Sequence, residues 1–150
     1  MIAPLHTPRL PFEKLMRRVH RKYWWHGTPD DPDAFKKRGQ FFASTYLEAE
    51  MYHRHPQPYK VKISKPLIGD ENAIMFRLFG SGPHRALDLY QECLSDDLGP
   101  LDHRFELDAL MKERAVELGY DSILLMSAYG YRRYRTGRLP RSLELNTFNV

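Results

Sequence analysis

Hydrophobic and polar positions divide the first half of the chain into short segments with clear periods. Phe12, Leu15, Met16 and Val19 recur at helical spacing after Pro11, which suits a first helical position, while Lys14, Arg17, Arg18 and Arg21 take the other side. This predicts a short basic amphipathic helix after an irregular lead-in over residues 1–10. Residues 23–27 are rich in aromatics and predict a strand stopped at Thr28-Pro29, with Trp24 and His26 on one face and Tyr23 and Trp25 on the other. Residues 29–38 read as a connection, with an acidic, proline-broken start and a basic end. Residues 40–43 predict a brief strand. Thr45 and Glu48 have capping-box spacing and open a helix to about His53, which Pro56 and Pro58 forbid from continuing. Val61 and Ile63 alternate with Lys60 and Lys62, so residues 59–64 predict a half-buried strand ended by Lys65-Pro66.

The second half is apolar in longer runs. Residues 73–79 fit either a strand or a helix, and Gly80-Ser81-Gly82-Pro83 breaks them off. Residues 84–96 read as helical, and Gly99-Pro100 breaks the chain again. A helix over about 105–118 buries Leu107, Leu110, Met111, Ala115 and Leu118, with Gly119 as its natural stop. Residues 122–126 predict a strand buried on both faces. Residues 127–141 read as a loop crowded with Tyr and Arg. Residues 143–148 close as an alternating strand, with Leu143 and Leu145 inward and Glu144 and Asn146 on the opposite face. There is no internal repeat and no low-complexity tract.

Composition narrows the class. A chain of 150 residues fits one domain, and 42% hydrophobic with 28% charged residues is globular. One cysteine, Cys93, leaves no intramolecular disulfide or Cys-rich zinc site and suits a reducing compartment. No apolar run reaches membrane-spanning length and no leader precedes a small-residue cleavage site, so the expectation is no membrane partner and a cytoplasmic protein, or one delivered to a target-cell cytosol. The net charge of +4 is concentrated at residues 17–22 and 132–141, clusters that solvate two segments or steer toward nucleic acid, acidic proteins or dinucleotide phosphates.

Most familiar chemistry lacks its residues. His53-Arg54-His55 adjoins a proline and has no obvious third metal ligand. Gly80-Ser81-Gly82 lacks the Lys or third Gly of a phosphate-binding loop, and no serine nucleophile elbow occurs. Three pieces remain: Trp25-His26-Gly27-Thr28 at the end of the first strand, Gly39-Gln40-Phe41-Phe42-Ala43 followed by Tyr52, and Glu144 in the last strand with Phe148-Asn149 after it.

In that order these pieces resemble the signature of the ADP-ribosyltransferase superfamily, over residues 23–150, with 68–101 weakly constrained. Glu144 with Phe148 is similar to the ending of small bacterial and phage-associated members, and residues 115–125 are similar to their preceding helix and strand. The resemblance implies an α+β fold, a split β-sandwich of two small, mainly antiparallel sheets with flanking helices. Residues 1–22 would be an N-terminal extension and 23–150 the catalytic part of a single domain.

The implied activity is mono-ADP-ribosyl transfer. The nicotinamide–ribose bond of NAD, a co-substrate, is cleaved and ADP-ribose passes to a macromolecular acceptor, protein or nucleic acid, without a metal and by a monomer. The setting would be a toxin, an effector or a phage-related factor. Glu144 would steady the ribosyl cation, where charge develops in the transition state. His26 would hold a ribose hydroxyl and Gly27 the carboxamide, beside Thr28. Phe41 and Tyr52 would flank the nicotinamide, with Phe42, Ala43 and Ser44 completing the segment. Phe41 replaces the usual Tyr and loses a hydroxyl, for which Ser44 or Thr45 is a substitute. Tyr131, Arg132, Arg133, Arg135 and Arg138 fall where relatives place the acceptor loop; Ser142, neither Glu nor Gln, argues against an arginine acceptor. The alternatives are an NAD glycohydrolase, an enzyme like the RNA 2′-phosphotransferases, or a non-catalytic binding module on the same fold.

Overall fold

A computed structural model describes residues 10–26, 38–50, 55–80 and 100–148. Expectations for the lead-in, the 29–37 connection, the helix over 84–96, Cys93, His53, Arg54, Gly27, Thr28 and Tyr52 lie outside them. The described elements are, in chain order, α1 (Leu10–Arg21), β1 (Trp24–His26), β2 (Gln40–Ala43), α2 (Tyr46–Glu50), β3 (Gln57–Tyr59), β4 (Pro66–Gly69), α3 (Glu71–Phe79), α4 (Pro100–Glu117), β5 (Ser122–Leu125), α5 (Ala128–Arg135) and β6 (Glu144–Thr147). The strands form one six-stranded sheet of order β3-β1-β2-β6-β5-β4. Only β4 and β5 run parallel. A parallel pair needs a long crossover, and the stretch holding α3 and α4 supplies it.

The class is therefore α+β, but the division into two sheets is not observed among the described strands. β6 pairs with β2 from Gln40↔Thr147 to Ala43↔Glu144 and with β5 from Ser122↔Thr147 to Leu125↔Glu144. A strand hydrogen-bonded along both edges leaves no seam at which the sheet could part.

Helices cover both faces. On one, Leu15 and Val19 of α1 are buried against Trp24, Phe42, Leu124 and Leu145, and Tyr131 and Tyr134 of α5 pack on the same cluster. The Trp24 indole Nε1 donates to the Val19 carbonyl at 2.9 Å, fixing the helix-to-strand turn. On the other face, Ile74 and Leu78 of α3 and Ala115 of α4 meet Leu67, Ile123 and Phe148. This second cover explains why Asn146 is buried and why β5 is apolar on both sides.

Three elements differ from the sequence expectation. The strand expected over 59–64 ends at Tyr59, and its alternation reports burial without pairing: Ile63 is buried, yet its N–H donates to His20 Nε2 at 3.2 Å. Pro66 opens β4 instead of ending a strand. As the first residue of an edge strand it needs no ladder donor. Residues 127–141 are not all loop, since Ser127 caps α5 by accepting from the Gly130 N–H at 3.0 Å and Tyr131 and Tyr134 turn inward. The ambiguous 73–79 run is helical, started by the Asp70 carboxylate on the Ala73 N–H and stopped at Gly80 with φ 77°.

Candidate functional site

The three signature pieces lie on three consecutive strands, β1, β2 and β6. Trp25 pairs with Ala43, and Ala43 in turn with Glu144. At the next step along β1 the His26 ring takes over from the ladder: its Nδ1 donates to the Phe41 carbonyl at 2.6 Å. A carbonyl can only accept, so that nitrogen carries the proton. The ring rests on Phe42, with centroids 5.2 Å apart, and on Tyr59 at 6.0 Å, in an aromatic corner closed by the Phe42–Tyr59 edge contact.

Cross-strand partners share a face. Phe42 stands with Leu145, and the His26 ring lies on that same side, above the α1 cluster. Glu144 stands with Ala43, Leu125 and, two positions along, Phe41 and Asn146. His26 and Glu144 thus belong to opposite faces of the sheet. The alternation of side chains dictates this once Trp25↔Ala43 sets the register.

Phe41 and Glu144 do converge. They line a cleft of about 100 Å³ between the sheet and helices α3 and α4. Ile74, Met75, Met111, Ile123 and Leu125 form its apolar wall, and Glu71 and Asp108 add two further carboxyl groups to that of Glu144. Asp108 is buried, whereas Glu144 is exposed at the start of β6. The lining thus sets acidic groups at the rim of an apolar floor beside one aromatic ring. Among the described residues no group of three or more His, Cys, Asp or Glu is arranged to hold a metal ion.

The entrance to β6 is held by a network the sequence reading missed. Ser44 and Leu143 exchange two bonds, Ser44 N–H to the Leu143 carbonyl at 3.2 Å and Leu143 N–H to Ser44 Oγ at 3.1 Å. Glu48 accepts from Ser142 Oγ at 2.9 Å and from Ser44 Oγ at 3.4 Å. The Ser44 hydroxyl is therefore spent on positioning the strand that presents Glu144, and it lies on the face away from Phe41. Thr45 Oγ1 caps α2 through the Glu48 N–H. Lys22 donates to the Ser44 carbonyl beside this network. Burial and then the Arg18 charge push its ammonium below the usual lysine range, with Glu48 opposing them.

At the far end of the cleft, Asn146 Nδ2 donates to the Arg38 carbonyl at 2.8 Å, and its buried Oδ1 makes no hydrogen bond. The sequence placed Asn146 on the same face of the closing strand as Glu144, and that shared face was its only signal. Glu71 and Asp108 gave none, because each is an ordinary acidic residue on a helix. Of the acceptor-loop residues, Tyr131 stacks on Tyr134 at 6.4 Å inside the α1-side core, while Arg132, Arg135 and Arg138 are exposed. Arg133 is partly buried and makes a long, 3.5 Å contact with the Tyr129 hydroxyl. Comparisons with models of known protein families, with curated proteins and with solved structures return no match to this chain.

Proposed function

We propose that this protein cleaves the nicotinamide–ribose bond of NAD and transfers the ADP-ribosyl group to a macromolecular acceptor. The supporting observation is the pairing of remote segments. Phe41 and Glu144 lie far apart in the chain yet line one cleft, with the Gly39-to-Ala43 segment and β6 in register along four residue pairs. The cleft's chemistry agrees with a nicotinamide ring, which is flat and cationic before the bond breaks and neutral after it departs. Phe41 offers the stacking face, and the carboxyls of Glu71 and Asp108 favour the charged ring. Glu144 supplies negative charge where the ribosyl cation develops, so its contribution grows toward the transition state.

His26 enters this scheme differently from Glu144. Its ring is fixed by the Phe41 carbonyl on the other face. Among the described residues the cleft is small beside the several hundred Å³ usual for a dinucleotide site. That small volume favours a second reading, a non-catalytic binding module on the same fold.

Nicotinamide release and transfer of labelled ADP-ribose, measured with the full chain, NAD and cell extract, separate the two. Glu144→Gln is expected to lower kcat by about 10²–10³-fold while NAD still binds. Near-normal turnover in that variant removes Glu144 from the mechanism; no release from the unaltered chain leaves the binding module. Label that appears only as free ADP-ribose identifies a glycohydrolase.

A further inference from the structure

Five of the chain's 23 Lys and Arg residues, and none of its 19 Asp and Glu, fall between Ser127 and Ser142. That segment alone carries more positive charge than the whole chain's net +4. The fold places it against a second basic segment far away in sequence: Arg18 of α1 donates from Nη1 to the Pro140 carbonyl at 2.6 Å, and both helices share the Leu15–Val19 cluster. Arg18 therefore extends the arginine surface around α5 onto α1. The Arg114–Glu117 ion pair belongs to α4 and does not neutralise it. Among the described residues, Glu13 in the first turn of α1 and Glu48 beyond Ser142 are acids of the neighbouring segments.

The surface has flat faces as well as charge. Tyr129 projects from the first turn of α5, 62% exposed. Arg132 and Arg133 lie over its ring at 5.9 and 5.7 Å, and Arg135 over Tyr131 at 5.7 Å. The Tyr129 hydroxyl is held below the usual tyrosine range by its hydrogen bond with Arg133 and by the charges of Arg133, Arg141 and Arg138. All five cations of the α5 segment are arginine, whose planar fork grips phosphate and stacks on rings.

We infer that α1 and α5 together form a binding surface for single-stranded nucleic acid, with arginines on the phosphates and Tyr129 as a stacking platform for an unpaired base. The planar arginine forks suit phosphate, and a duplex would present no unpaired base to the exposed ring. The inference stands apart from the NAD reading, since binding requires no NAD.

The test is fluorescence anisotropy of a labelled 20-nucleotide single-stranded oligonucleotide with the full chain, without NAD, at 50 and 200 mM salt. Binding at low salt that weakens about tenfold or more at high salt is expected from release of counterions by several phosphates. Arg132→Gln/Arg135→Gln/Arg138→Gln is expected to lose at least tenfold and to flatten the salt dependence. Tyr129→Ala, at an exposed site, is expected to lose severalfold with the salt slope unchanged. Lys62→Gln, exposed before β4, is the control and leaves binding as it was; circular dichroism checks each fold. No binding at 50 mM salt, or binding unmoved by both the triple variant and Tyr129→Ala, overturns the inference. Displacement by polyglutamate as effective as by unlabelled oligonucleotide overturns it in favour of an acidic protein.

Discussion

The side-chain amide of Asn146 lies directly over Gly39: a Cβ built on that glycine would come to 2.0 Å from Asn146 Oδ1. Gly39 also has φ 91°, a left-handed conformation that a side chain strains. Two independent demands thus fall on one residue of the motif segment. Gly39→Ala is expected to destabilise the fold by about 2–4 kcal/mol, as backbone strain and overpacking add. Urea denaturation measures it, and trimming the partner in Gly39→Ala/Asn146→Ala should relieve only part, because the strained φ remains.

Asp121 ties the approach to β4 onto the start of β5. Burial opposes its charge, but bonds from the Ser64 and Lys65 N–H groups and the Ser64 and Ser122 hydroxyls outweigh it and hold the carboxyl below the usual range. A depressed folded-state value stabilises the fold above the unfolded value, about pH 4, and the gain fades as pH falls through the folded value. Asp121→Asn is expected to cost about 1 kcal/mol at neutral pH, the low end for a charged acceptor because the group is partly exposed. Melts across pH 2–7 should show the gap between variant and parent closing at the acid end.

Trp24→Phe probes the docking of α1. The indole is fully buried and its N–H satisfies the Val19 carbonyl. Losing that donor leaves a buried acceptor unpaired and a small void, together about 2–3 kcal/mol. Chemical denaturation should show the loss with little change in the slope, since the surface exposed on unfolding is nearly the same.

His26→Ala separates binding from chemistry. If the imidazole grips a ribose hydroxyl, KM for NAD should rise about tenfold, roughly 1.4 kcal/mol, with kcat little changed. A variant with parental KM and a lower melting temperature would leave His26 as the side chain that stands in for a ladder bond at the Phe41 carbonyl.

Much of this architecture was readable because period and punctuation agreed. Leu15 and Val19, the Thr45–Glu48 cap and the doubly buried β5 each follow from local rules that tertiary contacts did not contradict. Where local rules failed, long-range partners had decided. Pro66 looks like a terminator until β4 is known to be an edge strand, and Tyr131 and Tyr134 look like loop aromatics until α1 is known to lie beneath them. The strands that carry His26, Phe41 and Glu144 were legible, but the faces of those residues were not. Only the Trp25↔Ala43 register, invisible along the chain, separates His26 from Glu144.

The position of β6 sets the order in which this molecule can assemble. Its four residues are the sole bridge in the described sheet between the β3-β1-β2 trio and the β5-β4 pair. Those two halves make no ladder with each other, so a nascent chain still missing 144–147 holds two fragments with bare polar edges. Commitment to the native topology waits for that one segment, and until it pairs each fragment is a template for pairing with the wrong neighbour.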